Sequence, residues 1–493
     1  LAYVVSPILI GCSAPISTNP MSIEKPLCTA STTLKTVSNR DGAQVFSSNK
    51  IQLNQAFTKV SATNDYIATL DMACMRSHKN PVHSAKIRFK NQQPVTFHSS
   101  QGVVSAQVSL EGVSDEAELE EIIQSEDCIL GLSDNLPMQK LAMPNDTNFS
   151  LQTNLTAIGF QSSYDFFNSN LSLQAANRVI IALIDDGINL QHPDLKPNIW
   201  VNSKEIFGVP GADDDGNGYV DDIYGYDFVS QTGDPSHKTS NPHGSHVAGL
   251  AAAVSNNNLG ISGVITKNVK LMALNVFGSG GGTTSAKIDE AIRYAADNGA
   301  HVINISLGGQ GRSASTLAAI QYAVSKNVTV IAAIGNDGEQ LTSSNFYSPG
   351  SYAPEVNGMI SVAAVNASNV SQICDFSNYS SSLVELSAPG CDSQNSAGLL
   401  STLSGSSYGR HNGTSMATPQ VSAAAALAIL SIKNRTQVTV TPAVIENVLL
   451  STATAKPSLQ TQVKGAKTLS LSSLAMFIDI NYPIGSPQPL VCN

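Results

Sequence analysis

Apolar runs and helix-period segments alternate along most of the chain. Strand-like runs lie at Val179–Ile184, Val269–Val276, His301–Ser306, Val328–Ile334 and Met359–Val365. Between and after them, apolar residues recur at helical spacing in Ala286–Asn298, Ser315–Lys326 and Thr418–Ile432. Strands separated by helices of ten or more residues predict βαβ crossovers and a parallel sheet. The runs VIIALI and VTVIAAI are apolar at every or nearly every position, as expected of strands covered by helices on both faces. The predicted class is therefore α/β with a mostly parallel central sheet. Upstream, Ala85–Phe89 and Val103–Leu110 alternate, and an acidic helical segment follows at Asp115–Ser125. Residues 51–142 thus predict a small α+β region. Residues 13–50, rich in Ser, Thr, Asn and Pro, predict a tether, and residues 477–493 a Pro-rich tail.

Composition narrows the functional classes. The chain has 493 residues, a formal net charge of −10 and only 13% charged residues. An acidic chain without Lys/Arg clusters is a poor phosphate binder, so no nucleic-acid partner is expected. No stretch of 18 consecutive apolar residues interrupts it, which argues against a multi-pass membrane protein. The apolar residues 1–11, which begin with Leu1, read as the hydrophobic core of a signal peptide without its basic start. Leu9-Ile10-Gly11-Cys12 looks like a bacterial lipobox, which assigns residues 1–12 as a signal remnant and Cys12 as a lipidation site. The expected location is extracytoplasmic: lipid-anchored in a periplasm, outer membrane or cell surface, or secreted after processing. With Cys12 set aside, six of the seven cysteines remain for an oxidising compartment. Cys374 and Cys391, close in sequence, form the favoured pair, and free buried thiols are the alternative.

Three glycine-flanked motifs carry the chemistry. Asp185-Asp186-Gly187 ends a strand, where α/β sheets place their sites. His243-Gly244-Ser245-His246-Val247-Ala248-Gly249 enters an Ala-rich helix, and Gly413-Thr414-Ser415-Met416-Ala417-Thr418-Pro419 enters another. Pro419 suits a first helical turn, which would put Ser415 just before the helix. Each motif alone is weak: a turn carboxylate, a structural His, an N-cap Ser. Nucleophilic catalysis by Ser needs a base and a carboxylate that orients it, and the three motifs supply all of them.

Together these motifs resemble the active-site motifs of subtilisin-like serine proteases (subtilases, peptidase family S8), in the chain order Asp…His…Ser. The resemblance runs from about Pro144 to Leu474 and implies a subtilisin-like three-layer fold, with a catalytic domain over 143–476. It implies a serine endopeptidase with Asp185, His243 and Ser415 as triad and Asn336, in Gly335-Asn336-Asp337-Gly338, as oxyanion donor. It further implies that Ser306, Leu307, Gly308 and Gly309 pair with a protein or peptide substrate, and that Ser348-Pro349-Gly350 closes the pocket for the residue before the cut. With no acidic cluster in view, apolar or medium-sized side chains are expected there. Asp186 stands where many members have Thr, as does Ser245, and His246 is expected to be structural.

Structural Ca²⁺ is also expected. ADDDGNGYVDD over 212–222 places oxygen ligands at Asp213, Asp215, Asn217, Tyr219 (by its carbonyl) and Asp222, like the front half of an EF-hand without its final Glu. The resemblance adds a second site at Asp194 with Asn257 in the 255–261 loop. Residues 51–142 are read as an inhibitory propeptide, with processing within 139–149, or as an accessory region that stays attached. A non-catalytic, surface-anchored binding protein on the same scaffold remains the alternative function. An α/β-hydrolase esterase would require a Gly-x-Ser-x-Gly elbow and a different residue order.

Overall fold

The structure, a computed structural model, describes residues 143–484 except 173–176, 238–241, 396–397 and 437, together with four strands upstream. Cys12, the tether, the acidic 115–125 segment and the end of the tail lie outside the described residues. The chain divides into two compact units, Leu1–Lys140 and Leu141–Asn493.

In the first unit, strands β1 (Asp65–Asp71), β2 (Ile87–Phe89), β3 (Val103–Leu110) and β4 (Ile129–Asp134) form an antiparallel sheet in the order β2-β3-β1-β4.

The second unit is built on a sheet whose strands are β5 (Val179–Asp185), β6 (Gly225–Asp227), β7 (Val269–Asn275), β8 (Val302–Ile305), β10 (Thr329–Ala333), β12 (Met359–Asn366) and β14 (Leu386–Cys391), all in parallel register. Two short strands, β9 (Gly309–Gln310) and β11 (Tyr347–Ser348), pair outside it. The hairpin strand β13 (Asn369–Ile373) and the small strands β17 (Thr454–Ala455) and β18 (Lys467–Thr468) extend its margin, and β15 (Leu399–Thr402) with β16 (Tyr408–His411) forms a separate ribbon.

Side chains alternate between two cores, as a pleated strand requires. Val179, Ile181 and Leu183 of β5 face one apolar cluster, and Ala182 and Ile184 face the other. Helices α1 (Phe160–Ser172), α2 (His243–Ala252), α5 (Thr414–Arg435), α6 (Pro442–Thr452) and α7 (Leu471–Asn481) cover the first face. Helices α3 (Ser285–Asp297) and α4 (Ala314–Ser325) cover the second. The result is a three-layer α/β fold with a mostly parallel central sheet. Helix α5 is long and apolar enough to cross a membrane by length and composition, yet its apolar stretch is buried inside the fold. Fully burying each large aliphatic side chain contributes about 1.5–3 kcal/mol, so this double-sided core dominates stability.

The order β10-β8-β5-β7-β6 reverses the direction of the chain across β5. Such a switch point opens a crevice at the carboxyl ends of the strands. Asp185 ends β5 there. A disulfide joins Cys374, just after β13, to Cys391 at the end of β14, with Cα atoms 6.2 Å apart. Closing a loop of that size contributes about 3 kcal/mol in the chain-entropy account.

Candidate active site

Asp185 is 1% exposed, and its Oδ1 accepts a 2.7 Å hydrogen bond from His243 Nδ1. His243 is the first residue of α2, so its position depends on how that helix begins. The N-cap residue, Pro242, offers no side-chain cap. The cap comes from Asp186, whose carboxylate accepts from the His243 N–H at 3.2 Å and the Gly244 N–H at 2.7 Å. A carboxylate at a helix N-terminus satisfies unpaired donors and complements the helix dipole. A Cβ at Gly244 would lie 2.3 Å from the Gly187 carbonyl oxygen, so only glycine lets α2 dock this closely on the strand end. Burial pushes the His243 pKa down, but the adjacent Asp185 carboxylate, through charge and hydrogen bond, outweighs it. With Asp186 adding to the same effect, the imidazole is held above its ordinary value.

Ser415 is the second residue of α5, which starts four residues before the sequence pattern suggested. Pro419 therefore sits inside the helix rather than in its first turn, and the bond its N–H would give to the Ser415 carbonyl is missing. Ser306 fills the gap: its hydroxyl donates to the Ser415 carbonyl at 3.1 Å. In return the Ser415 hydroxyl donates to the Ser306 carbonyl at 2.9 Å, not to His243. Asn304 Nδ2 donates to Ser306 Oγ at 2.9 Å and Ser422 Oγ to Asn304 Oδ1 at 2.9 Å, so a buried polar chain runs from α5 through β8 to Ser415.

Asn336 follows β10 and is exposed. Its Oδ1 accepts from the Thr414 backbone N–H at 2.8 Å and the Thr414 hydroxyl at 3.0 Å. Its Nδ2 is left without a protein acceptor among the described residues. A Cβ built on Gly413 would lie 3.5 Å from the Ser415 N and 3.6 Å from Asn336 Nδ2, so both amide donors border one point in space. Gly413 has φ 154°, a backbone state that favours glycine.

The segment Ser306–Gly309 leaves β8 toward β9, which pairs antiparallel with β11. Leu307 packs against the α3/α4 core, while the position of a Gly309 side chain is open space. Ser348 and Pro349 line a cleft of about 310 Å³ with Gly308 and Gly309. Gly350 is not part of that lining: its Cα presses against β10, where a Cβ would meet the Ala333 carbonyl oxygen at 2.4 Å.

His246 is fully buried, contacts the Leu399 carbonyl at 3.0 Å and stacks on His411 at 4.3 Å between ring centroids. Burial first, then the neighbouring His411 and His243, pushes its pKa well below the ordinary value. Ser245 is buried too and accepts from the Asn189 N–H.

The acidic loop at 212–222 gathers a carboxylate set that differs from the sequence expectation. Ligand atoms of Asp213, Asp215 and Glu205 lie within 4.8 Å of one another. Glu205 belongs to a short helix before the loop and carried no sequence signal. Asp222 stands apart: it is fully buried, and its oxygens accept from Asn202, Asn217 and Tyr294. Asn217 is likewise engaged, giving its Nδ2 to Asp222 and accepting from the Tyr219 N–H. The Tyr219 ring packs against Tyr226 and Tyr294. Three clustered carboxylates, with no Lys or Arg paired to them among the described residues, suit a hard cation. At the second expected site, Asn257 turns its Nδ2 toward Asp194 Oδ1 at 2.6 Å, so it presents a donor there rather than a ligand oxygen. Asp146, which the sequence reading overlooked, lies beside Asp194. Burial chiefly, and each other's charge for Asp146, holds these carboxyls above the usual range.

An α/β fold with a Ser, a His–Asp pair and converging amide donors at a switch-point crevice defines a serine-hydrolase type of site. Consistent with that geometry, the subtilase family model matches residues 176–469, and the chain belongs to this family. A thermophilic serine proteinase of Bacillus sp. (strain AK1) is 34% identical over 295 residues, covering 60% of this chain and 62% of that protein. Subtilisin-like protease 1 of Plasmodium falciparum is 32% identical over 296 residues, covering 57% of this chain and 41% of that one. The chain thus spans less than two thirds of the length of these relatives. Among solved structures, one described as proteases from Pseudoalteromonas arctica PAMC 21717 superposes with a TM-score of 0.53 at 29% identity, over 68% of this chain and 99% of that one.

Proposed function

We propose that the protein is an extracytoplasmic serine endopeptidase. The observations that carry the reading are the 2.7 Å Asp185–His243 bond and a serine whose backbone N–H converges with the Asn336 amide. In the proposed step the Ser415 hydroxyl gives up the Ser306 carbonyl for His243 Nε2, which removes the proton as Oγ attacks the scissile carbonyl. Asp185 holds Nδ1–H and stabilises the imidazolium. Ser415 N–H and Asn336 Nδ2 stabilise the tetrahedral oxyanion, a donor of this kind being worth about 2.7–4 kcal/mol in the transition state. His243 then protonates the leaving amine, and water, deprotonated by the same imidazole, resolves the acyl-enzyme. The substrate backbone runs along Ser306–Gly309, where main-chain hydrogen bonds give affinity without reading side chains.

Calcium at Glu205, Asp213 and Asp215 serves stability rather than chemistry, and the paired acids Asp146 and Asp194 suit a second ion. The Cys374–Cys391 bridge supports an oxidising compartment. Lipidation at Cys12 gives the membrane attachment, and residues 51–142 act as a propeptide whose removal near 139–149 frees the catalytic unit.

Casein hydrolysis with a fluorophosphonate probe tests the activity. Wild type is expected to label on Ser415 and to cleave, and Ser415→Ala to do neither. A folded wild type that does neither refutes the proposal in favour of a non-catalytic binding protein. An intact N-terminus in the active form, seen by mass spectrometry, refutes the propeptide.

A further inference from the structure

The lining of the cleft beside Gly308 and Gly309 contains one charged residue, Arg312. The turn Thr283–Thr284 with Ser285 and Ile288 of α3 forms one side, and Arg312, Ser313 and Thr316 form another. No carboxylate lines it. Helix α3 begins at Ser285 without a side-chain cap, and the first turn of α4 reaches the same cleft. Helix α3 presents its positive end, whereas at α4 the Thr316 N–H is already taken by Ser313 Oγ.

Arg312 is fixed at the rim. Its guanidinium lies 4.1 Å from the Phe346 ring centroid and 5.4 Å from that of Tyr352. Its Nη2 bonds Glu355 Oε1 at 2.5 Å, and Glu355 lies outside the cleft lining. The remaining guanidinium N–H groups have no acceptor among the described residues. A planar fork held on aromatic faces loses little entropy when it binds a carboxylate.

The Ser415 hydroxyl marks the reaction centre at Ser306, and Gly308 and Gly309 lie two and three residues further along the same segment. An extended peptide advances about 3.3 Å per residue and points alternate side chains to one face. We propose that this cleft is a subsite selecting an acidic side chain, Glu or Asp, on the second, third or fourth residue before the scissile bond. The inference rests on the endopeptidase reading above. It adds to the apolar or medium-sized preference expected for the residue next to the cut, and it was hidden in the sequence because Arg312 acquires its setting from the distant 346–355 segment.

The test uses fluorogenic peptides with one cleavable bond and Glu, Gln, Leu or Lys at each position before it. At one of those three positions Glu is expected to exceed Gln and Leu in kcat/KM by about tenfold, with Lys the poorest. The Glu-to-Gln ratio is expected to collapse toward one in Arg312→Gln, and to fall less in Arg312→Lys, which keeps the charge but not the planar fork. The ratio is read within a single preparation, so a loss of folded enzyme cancels. Wild type that cleaves without this preference, or prefers Glu only elsewhere, overturns the subsite and leaves the endopeptidase standing. So does a Glu preference that survives in Arg312→Gln. Wild type that neither cleaves any peptide nor takes the fluorophosphonate overturns the endopeptidase, and the subsite with it.

Discussion

Ser306 and Ser415 exchange two hydrogen bonds: the Ser415 hydroxyl donates to the Ser306 carbonyl at 2.9 Å, and the Ser306 hydroxyl donates to the Ser415 carbonyl at 3.1 Å. The second bond replaces the helical one that Pro419 cannot give. The nucleophile is thus held at its backbone by a side chain from the very strand end along which the substrate is proposed to lie.

Replacing Ser306 with Ala leaves the buried Ser415 carbonyl unpaired and takes an acceptor from Asn304. The expected loss is about 1–3 kcal/mol of stability, read by urea unfolding. An unchanged midpoint and slope would mean that water repairs the network.

Asn336→Ala removes one oxyanion donor. The expected result is a fall in kcat on the order of 10²–10³ with a smaller change in KM. Because Asn336 Oδ1 also caps the start of α5 through Thr414, a modest drop in melting temperature accompanies it. A loss confined to KM would place Asn336 in ground-state binding instead.

Asp186→Asn removes the charge and one of the two acceptor oxygens that cap α2. Asp186 helps hold the His243 pKa up, so the neutral side chain lowers it. The imidazole must be unprotonated to act as base, and the acid limb of the kcat/KM profile is expected to move to lower pH. A His whose pKa is raised on folding contributes stability below its unfolded value near 6.5, lost as pH rises through the folded value. The variant weakens that contribution, so its melting temperature is expected to fall more at pH 5 than at pH 8. Equal losses at both would leave only the cap.

Chelation tests the carboxylate cluster. A ligand at a hundred times its Kd stabilises by about 2.7 kcal/mol. EDTA is expected to lower the melting temperature of wild type and excess Ca²⁺ to restore it, while Glu205→Gln blunts the response. A melt indifferent to EDTA contradicts calcium binding.

The sheet was legible because strands covered on both faces are apolar throughout, as VIIALI of β5 and VTVIAAI around β10 show. Val103–Leu110 was legible from its alternation. The start of α5 was not: Pro419 signals a first turn by its local chemistry, and only the Ser306 hydroxyl, more than a hundred residues away in sequence, makes it tolerable inside the helix. Asp185, His243, Ser415 and Asn336 carried readable motifs. Glu205, Asp146 and Arg312 did not, since nothing near them in the chain says what folds against them. The capping duty of Asp186 was hidden for the same reason, as its partners belong to α2.

The central claim is that Ser415 forms a covalent acyl-enzyme with His243 as its base. Rapid mixing with a p-nitrophenyl peptide ester, followed by intact-mass analysis of the quenched protein, tests it most directly. The account predicts a burst near one equivalent per folded protein, an acyl adduct mapped to Ser415, and no burst in either Ser415→Ala or His243→Ala. Turnover with neither burst nor adduct, or an adduct mapped to another residue, would contradict it.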